Sequence, residues 1–404
     1  MLKDSRDCHV TTNNHMAHKV FLEGMDLYLG LDQDGTQKFN EALEYDNEFS
    51  LAYIMLARQY AVNGSLDKSK TNLNLAKKFS EKSSKREQGL INLIDLMLEK
   101  NDKAVHYAKQ HIEEYPNDVV ALSQLLGPFG MLAFSGRKYW REENLEIIKN
   151  IEINFDSNDW WFETTKAFIY CENQQLKEAC KYGERAWDIA RNGNCAHTIS
   201  HIHYDTDSYK LGRSFILDWS TSKEGKNSRM KHHLRWHDAL LAIKLKKIEE
   251  INDIYENYML ADKDTSPLEY LADNASILWY CKINGIEIPD SWMIEMYDYA
   301  NTLFPDFGFN FADMHKLMVA SALKPEKQAS LLRKLDKNVE SDVLLINLFN
   351  GFISFLKKDY KDSEKLLSMV VKDEATFGGS NVQRKILKET LERAIYLNKL
   401  HINQ

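Results

Sequence analysis

The chain is short of the residues that build strands, disulfides and membrane spans. Six prolines and seventeen glycines in 404 residues leave little room for the tight turns of a β-sandwich or barrel. The five cysteines, Cys8, Cys171, Cys180, Cys195 and Cys281, are odd in number, widely spaced and contain no CxxC pair. That pattern argues against a disulfide framework or a zinc knuckle and suits a reducing compartment. No apolar run approaches the roughly eighteen residues that a membrane helix requires. The opening Met1-Leu-Lys-Asp-Ser-Arg-Asp7 has no apolar core of the secretory kind. The expected location is the cytoplasm, with no membrane partner.

An excess of basic charge is missing too. Lys and Arg number 52 against 60 Asp and Glu, a net charge of -8, and both signs are spread along the chain, so no electrostatic footprint for nucleic acid exists. What is present is a chain 44% hydrophobic and 28% charged, with long stretches of Leu, Ala, Lys, Glu and Asn in helical spacing. The expected fold class is all-α. At this length one core is not enough, so the chain divides into domains or forms an elongated array that buries its core piecewise.

Repeated hairpins favour the array. Thr11-Thr-Asn-Asn14 can cap a first helix from Ala17 to Leu31. The run Ala42 to Gly64 carries the small–large alternation of two closely packed antiparallel helices. A second unit runs from Arg86 to Leu98 and on from Ala104 to Tyr115-Pro116, where proline ends a helix. A third spans Trp160 to Tyr170 and Leu176 to Ala190. A fourth spans Trp236 to Leu245 and Ile248 to Met259, and a fifth Leu344 to Leu356 and Ser363 to Val371. The expected architecture is a tetratricopeptide-like helical-repeat superhelix, an α-solenoid, forming a single continuous array over 1–404. Within it, 1–190 holds N-terminal repeats, 191–320 a histidine-rich central part, and 321–404 C-terminal repeats and a cap. Its concave side would hold a ligand. The most loop-like stretches are Ser220 to Arg229, Asp262 to Pro267 and Gly285 to Asp290.

Titratable chemistry concentrates between Cys195 and Leu240, where six of thirteen histidines fall. His197 with His201, and His233 with His237, sit at i and i+4, so on a helix each pair projects from one face, close enough to share a ligand or an ion. Trp236 borders the second pair as a flat apolar wall. Three polar clusters accompany them. Asp273-Asn-Ala-Ser276 precedes an apolar run. Asp313-Met-His315 places an acid and a histidine two apart. Gly378-Gly-Ser380-Asn381-Val-Gln383-Arg384 reads as a helix start able to hold an anion on free amides, with Arg384 adding a charged fork. Taken alone, that last stretch reads first as a capped helix.

These segments carry a resemblance that covers the whole chain. From Arg6-Asp7 and Thr11 to Asn14, through His197-Thr-Ile-Ser-His201-Ile-His203, His233-Leu-Arg-Trp236-His237-Asp-Ala239-Leu240, Asp313-Met-His315 and Gly378 to Arg384, it resembles the tetratricopeptide repeat protein 38 family. The resemblance implies a tetratricopeptide-like superhelix and a polar constellation of His197, His201, His233, His237, Asp273, Asp313 and His315. The chain departs from the family pattern at Tyr204, where an acidic residue is expected, at Leu234-Arg235, where an Asn-aromatic pair is expected, and at Leu126-Gly127, where a His-Asp pair is expected.

Two functional readings follow. In the first, a pocket holds a small polar metabolite and the protein is an enzyme of hydrolase or transferase type. His197, His201, His233, His237, Asp313 and His315 would be catalytic; Trp236, Asp273, Ser380, Asn381, Gln383 and Arg384 would bind ligand. The histidine pairs are also candidate ligands for a divalent metal, zinc or iron, although HTISH lacks the glutamate of an H-E-x-x-H site. The alternative to metal is acid–base catalysis by a histidine that Asp313 or Asp273 orients. Attack by Cys195 is a weaker option. In the second reading, a non-catalytic scaffold binds a peptide or protein on its concave face. The clustering of polar residues in a few segments, with no recurrence at each repeat, favours the first.

Overall fold

The computed structural model describes residues 2–261 and 265–402, the side chains of 401 and 402 excepted, and its regular structure is almost wholly helical. Two two-residue strands, β1 (Leu2–Lys3) and β2 (His9–Val10), pair antiparallel at the start. The chain divides into two compact units, Met1–Leu132 with Arg141–Lys231, and Ala133–Trp140 with His232–Gln404.

The first unit is a run of hairpins. It contains α1 (His15–Gly30), α2 (Gly35–Tyr45), α3 (Ser50–Val62), α4 (Leu66–Lys78), α5 (Lys85–Leu98), α6 (Ala104–Glu114) and α7 (Val119–Leu125). After α8 (Trp140–Ile151) come α9 (Trp160–Glu172), α10 (Leu176–Ile189), α11 (Gly193–Asp205), α12 (Tyr209–Thr221) and the short α13 (Lys223–Lys226). Their starts follow from local chemistry. Asn14 accepts from the Met16 and Ala17 amides, Ser84 and Glu87 form a reciprocal capping box, and Asp159 accepts from the Phe162 amide. Small residues let paired helices approach. The Ser69 hydroxyl donates to the Ala57 carbonyl at 2.7 Å, and Ser50 to that of Ala76 at 3.0 Å.

The N-terminal strands are tied to this unit by ions. Arg6 forks onto Asp159 at 2.6 and 3.0 Å, while Arg86 donates to the His9 carbonyl at 2.6 Å. Arg86 and His111 both reach Asp118 Oδ2 at 2.9 Å, so this buried carboxylate is fully engaged, as a buried charge must be.

The second unit contains α14 (Lys231–Lys244), α15 (Ile251–Ile254, continued by a wide turn over Tyr255–Met259), α16 (Pro267–Asn284), α17 (Asp290–Leu303), α18 (Asn310–Ala320), α19 (Pro325–Leu332), α20 (Glu340–Leu356), α21 (Tyr360–Val370) and α22 (Asn381–Ile402). The device of the first unit recurs, with Ser363 donating to the Gly351 carbonyl at 2.9 Å between α20 and α21. Trp279 anchors the core against Phe352, ring centroids 4.4 Å apart, its indole N–H donating to Thr390 at 2.9 Å.

The stretch Ser220 to Arg229, loop-like in sequence, contains the end of α12 and all of α13. Ser222 supplies the missing cap by accepting from the Gly225 amide. The stretch Asp262 to Pro267 lies partly outside the described residues. Among the described residues, no helix is long and apolar enough to cross a membrane.

Candidate metal and acid–base centre

Helix α11 carries the first histidine pair. Asn192 caps it through the Cys195 amide, and Asn194 donates to the Leu29 carbonyl at 3.0 Å, tying it to α1. Gly193 is required at the junction, because a Cβ there would stand 2.2 Å from the Ser228 hydroxyl and 3.1 Å from two backbone oxygens. His197 and His201 are both buried, 2% and 1% exposed. Their rings stand edge to face with centroids 4.5 Å apart and planes at 88°, and their Nε2 atoms meet at 2.9 Å. Phe168 and Phe129 flank them with their rings.

Cys195, two residues before His197, faces Thr164 at 3.1 Å. Burial pushes its thiol up to about 12, against weaker lowering by Thr164 and the Asn192 backbone. It is a packed thiol with no thiolate character at neutral pH.

Helix α14 carries the second pair in nearly the same geometry. The His233 and His237 centroids are 4.9 Å apart with planes at 87°, and both residues are buried. His233 Nδ1 lies 2.8 Å from Asp273 Oδ2 on α16. Burial alone would depress the His233 pKa, but the charge and hydrogen bond of Asp273 outweigh it and the result is a rise. Trp236 stacks on His233, planes at 20°, and its indole N–H donates to Ser276 at 2.7 Å. Ser276 in turn donates to the Asp273 carbonyl at 3.1 Å. The neighbouring His232 sits with its Nε2 3.4 Å from the Asn274 amide nitrogen and 4.0 Å from Asp273.

Asp313 and His315 share α18 but not a direction. Asp313 accepts from the Gly308 and Phe309 amides, both at 2.9 Å, and so closes the start of its own helix. Burial pushes it up to about 6, against the lowering effect of those amides. His315 Nδ1 lies 2.7 Å from the Phe311 carbonyl. An oxygen there accepts only from an N–H, so Nδ1 carries the proton and Nε2 the lone pair. Burial holds this ring neutral, its pKa pushed down to about 4.

The segment before α22 turns through Gly378 and Gly379, both at positive φ (72° and 82°). Gln383 accepts from the Ser380 amide at 3.0 Å and the Ser380 hydroxyl from the Gln383 amide at 3.3 Å, which spends the N-terminal amides on a reciprocal cap. Arg384 is fully buried. It donates to the Gly379 carbonyl and to Asn381, and its guanidinium lies 5.3 Å over Trp140.

Each histidine pair is thus brought together on its own helix, and Asp273 and Trp236 join the second. Asp313 is committed to backbone amides, and Ser380, Asn381, Gln383 and Arg384 to the turn that starts α22. Sequence reasoning did not assign Ser276 its bond to Trp236 or place Asn274 beside His232. The signal for both was polar residues inside an otherwise apolar helix, each four residues or fewer from Asp273. Chemically, two buried imidazoles one helical turn apart can chelate a metal or pass a proton. A zinc ion with Zn–N of about 2.0–2.1 Å and tetrahedral angles needs donors about 3.3 Å apart, which the 2.9 Å Nε2 spacing of His197 and His201 meets with a small ring rotation.

No protein-family model matches the chain, and no curated protein matches it. Among solved structures it is similar to the TPR domain of P58(IPK), at 13% identity over 96% of this chain and 99% of that one, with a TM-score of 0.22.

Proposed function

We propose that this protein binds a transition-metal ion, zinc or iron, at its buried i,i+4 histidine pairs, His197 with His201 and His233 with His237, and that it is an enzyme acting on a small polar molecule by metal-assisted or histidine acid–base chemistry, of hydrolase or transferase type. One observation carries the reading: an i,i+4 pair of buried histidines with near-perpendicular rings occurs twice, on α11 and on α14. Imidazole suits zinc and iron alike. The resemblance to the tetratricopeptide repeat protein 38 family belongs to this reading, since it runs through the same two segments.

In this scheme a bound metal would supply a Lewis acid and a water of lowered pKa. The chain's own contribution is orientation and dryness. Asp273 holds His233, and Trp236 and Phe168 wall the imidazoles with apolar rings. A second reading, a peptide-binding scaffold, draws support from a cleft lined by Phe155 and by Glu163, Lys166, Lys181, Tyr182 and Arg185 of α9 and α10, where the Lys166 ammonium lies over the Tyr182 ring.

Elemental analysis of protein purified without chelators decides between them. Zinc or iron near stoichiometric levels, reduced in His201→Ala or in His237→Ala while the helical circular dichroism signal persists, is the expected result. Protein that stays metal-free after incubation with Zn(II) and with Fe(II) ends the metal reading.

A further inference from the structure

We infer that Asp273 is a positioning residue, acting through His233: it fixes that imidazole as the Nδ1–H tautomer and so leaves Nε2 as the atom presented to a metal or substrate. The inference rests on the histidine reading above, but its geometry stands by itself. The carboxylate oxygen is a pure acceptor 2.8 Å from Nδ1, and it is 1% exposed, so water does not compete for it. An acceptor at that distance requires the proton on Nδ1. Free neutral imidazole side chains favour the opposite Nε2–H tautomer, so the orientation here is imposed by the neighbour.

The remainder of the environment removes the alternatives. His232 lies 4.0 Å from the same carboxylate oxygen, beyond hydrogen-bond range. Asn274 offers its amide N–H toward His232 Nε2 at 3.4 Å, so His232 presents a lone pair there and no competing proton. Rotation of the His233 ring is blocked by the indole of Trp236 stacked on it, and that indole is itself pinned to Ser276. Ser276 closes the arrangement by donating to the backbone carbonyl of Asp273. One turn of α16 therefore holds both the ring's plane and its proton. Outer carboxylates of this kind raise the basicity of a histidine ligand and fix its direction, and their loss typically weakens metal binding by about 10- to 100-fold.

The test reads tautomer and metal separately, on the full chain. Long-range proton–nitrogen NMR at alkaline pH, above the raised His233 pKa, on metal-free protein labelled with 15N-histidine, with His233 assigned through His233→Gln, should show Nδ1 protonated and Nε2 unprotonated in the wild type. In Asp273→Leu the pattern should shift toward the Nε2–H form. Separately, Co(II) titration should show Asp273→Asn weakening binding by about 10- to 100-fold, with a displaced visible absorption band. The His233→Ala, Asp273→Asn double variant should bind no more weakly than His233→Ala alone. A wild-type His233 found as the Nε2–H tautomer overturns the inference even if neither variant folds, and so does an Asp273→Asn effect that adds in full to His233→Ala. Wild-type protein that shows the Nδ1–H tautomer but takes up no Co(II) upholds the positioning role and overturns only the metal reading.

Discussion

The Nε2 atoms of His197 and His201 meet at 2.9 Å across one turn of α11, their ring planes at 88°. Two such nitrogens attract each other only if one carries a proton and the other a lone pair, so the pair holds a single shared proton. A metal bound at both Nε2 atoms requires that proton to move to Nδ1 of the same ring.

Protonation of the imidazoles to imidazolium competes with metal, so metal uptake should weaken in acid. Below the ordinary histidine range near pH 6.5, affinity for Zn(II) is expected to fall by about tenfold or more per pH unit. Competition with a coloured chelator between pH 7.5 and 5.5 measures it. An affinity independent of pH would remove the histidines from the ligand set.

Acid should also destabilise the fold through His315. Burial places its folded pKa at about 4 against an ordinary 6.5, so the stability gained from keeping it neutral is complete above pH 6.5 and is lost as pH falls toward 4. The full effect is at most roughly 3.5 kcal/mol, at about 1.4 kcal/mol per pH unit. Asp313 opposes it: with a folded pKa of about 6, raised from 3.8, its advantage is present at low pH and lost as pH rises through 6. Urea unfolding across pH 7 to 4 should show a shallower acid loss in His315→Gln than in the wild type.

Trp236→Phe keeps an aromatic wall beside His233 but deletes the donor to Ser276. The Ser276 hydroxyl still donates to the Asp273 carbonyl, so the expected cost is modest, about 1 kcal/mol. Thermal melting and Co(II) affinity read it. Unchanged melting with lost affinity would assign the indole to ligand binding alone.

Gly193→Ala should be poorly tolerated. The new methyl would stand 2.2 Å from Ser228 Oγ with two carbonyl oxygens behind it, so α11 must shift, at about 1–3 kcal/mol. Pairing it with Ser228→Gly, which clears the nearest contact, should recover part of the lost melting temperature. No recovery would place the strain on the backbone oxygens alone.

Arg384→Met should lower stability by roughly 3 kcal/mol, because it strips the Gly379 carbonyl and Asn381 of a buried charged donor. Phosphate or a small carboxylate should protect wild type and variant equally against heat. Protection of the wild type alone would restore Arg384 as an anion ligand.

The scarcity of proline, glycine and paired cysteine determined an all-helical chain before any coordinates. The caps at Asn14 and Asp159 were set by side chains within three residues of the amides they bind. The i,i+4 histidine pairs were equally legible, since the helical period alone puts His197 over His201 and His233 over His237. Interactions of that range are encoded by neighbours along the chain.

Tertiary structure decided the partners. Asp273 meets His233 across forty residues because α16 packs against α14, and no local pattern says which face of α16 will turn inward. Asp313, two residues from His315, is captured by the Gly308 and Phe309 amides instead, because an N-terminal carboxylate finds unsatisfied donors nearer than any imidazole. Arg384, an anion ligand by its sequence setting, is drawn into the core over Trp140, where a delocalised cation meets an aromatic face and two oxygens at once. Spacing along a helix specifies which groups share a face, whereas packing between helices specifies what that face meets.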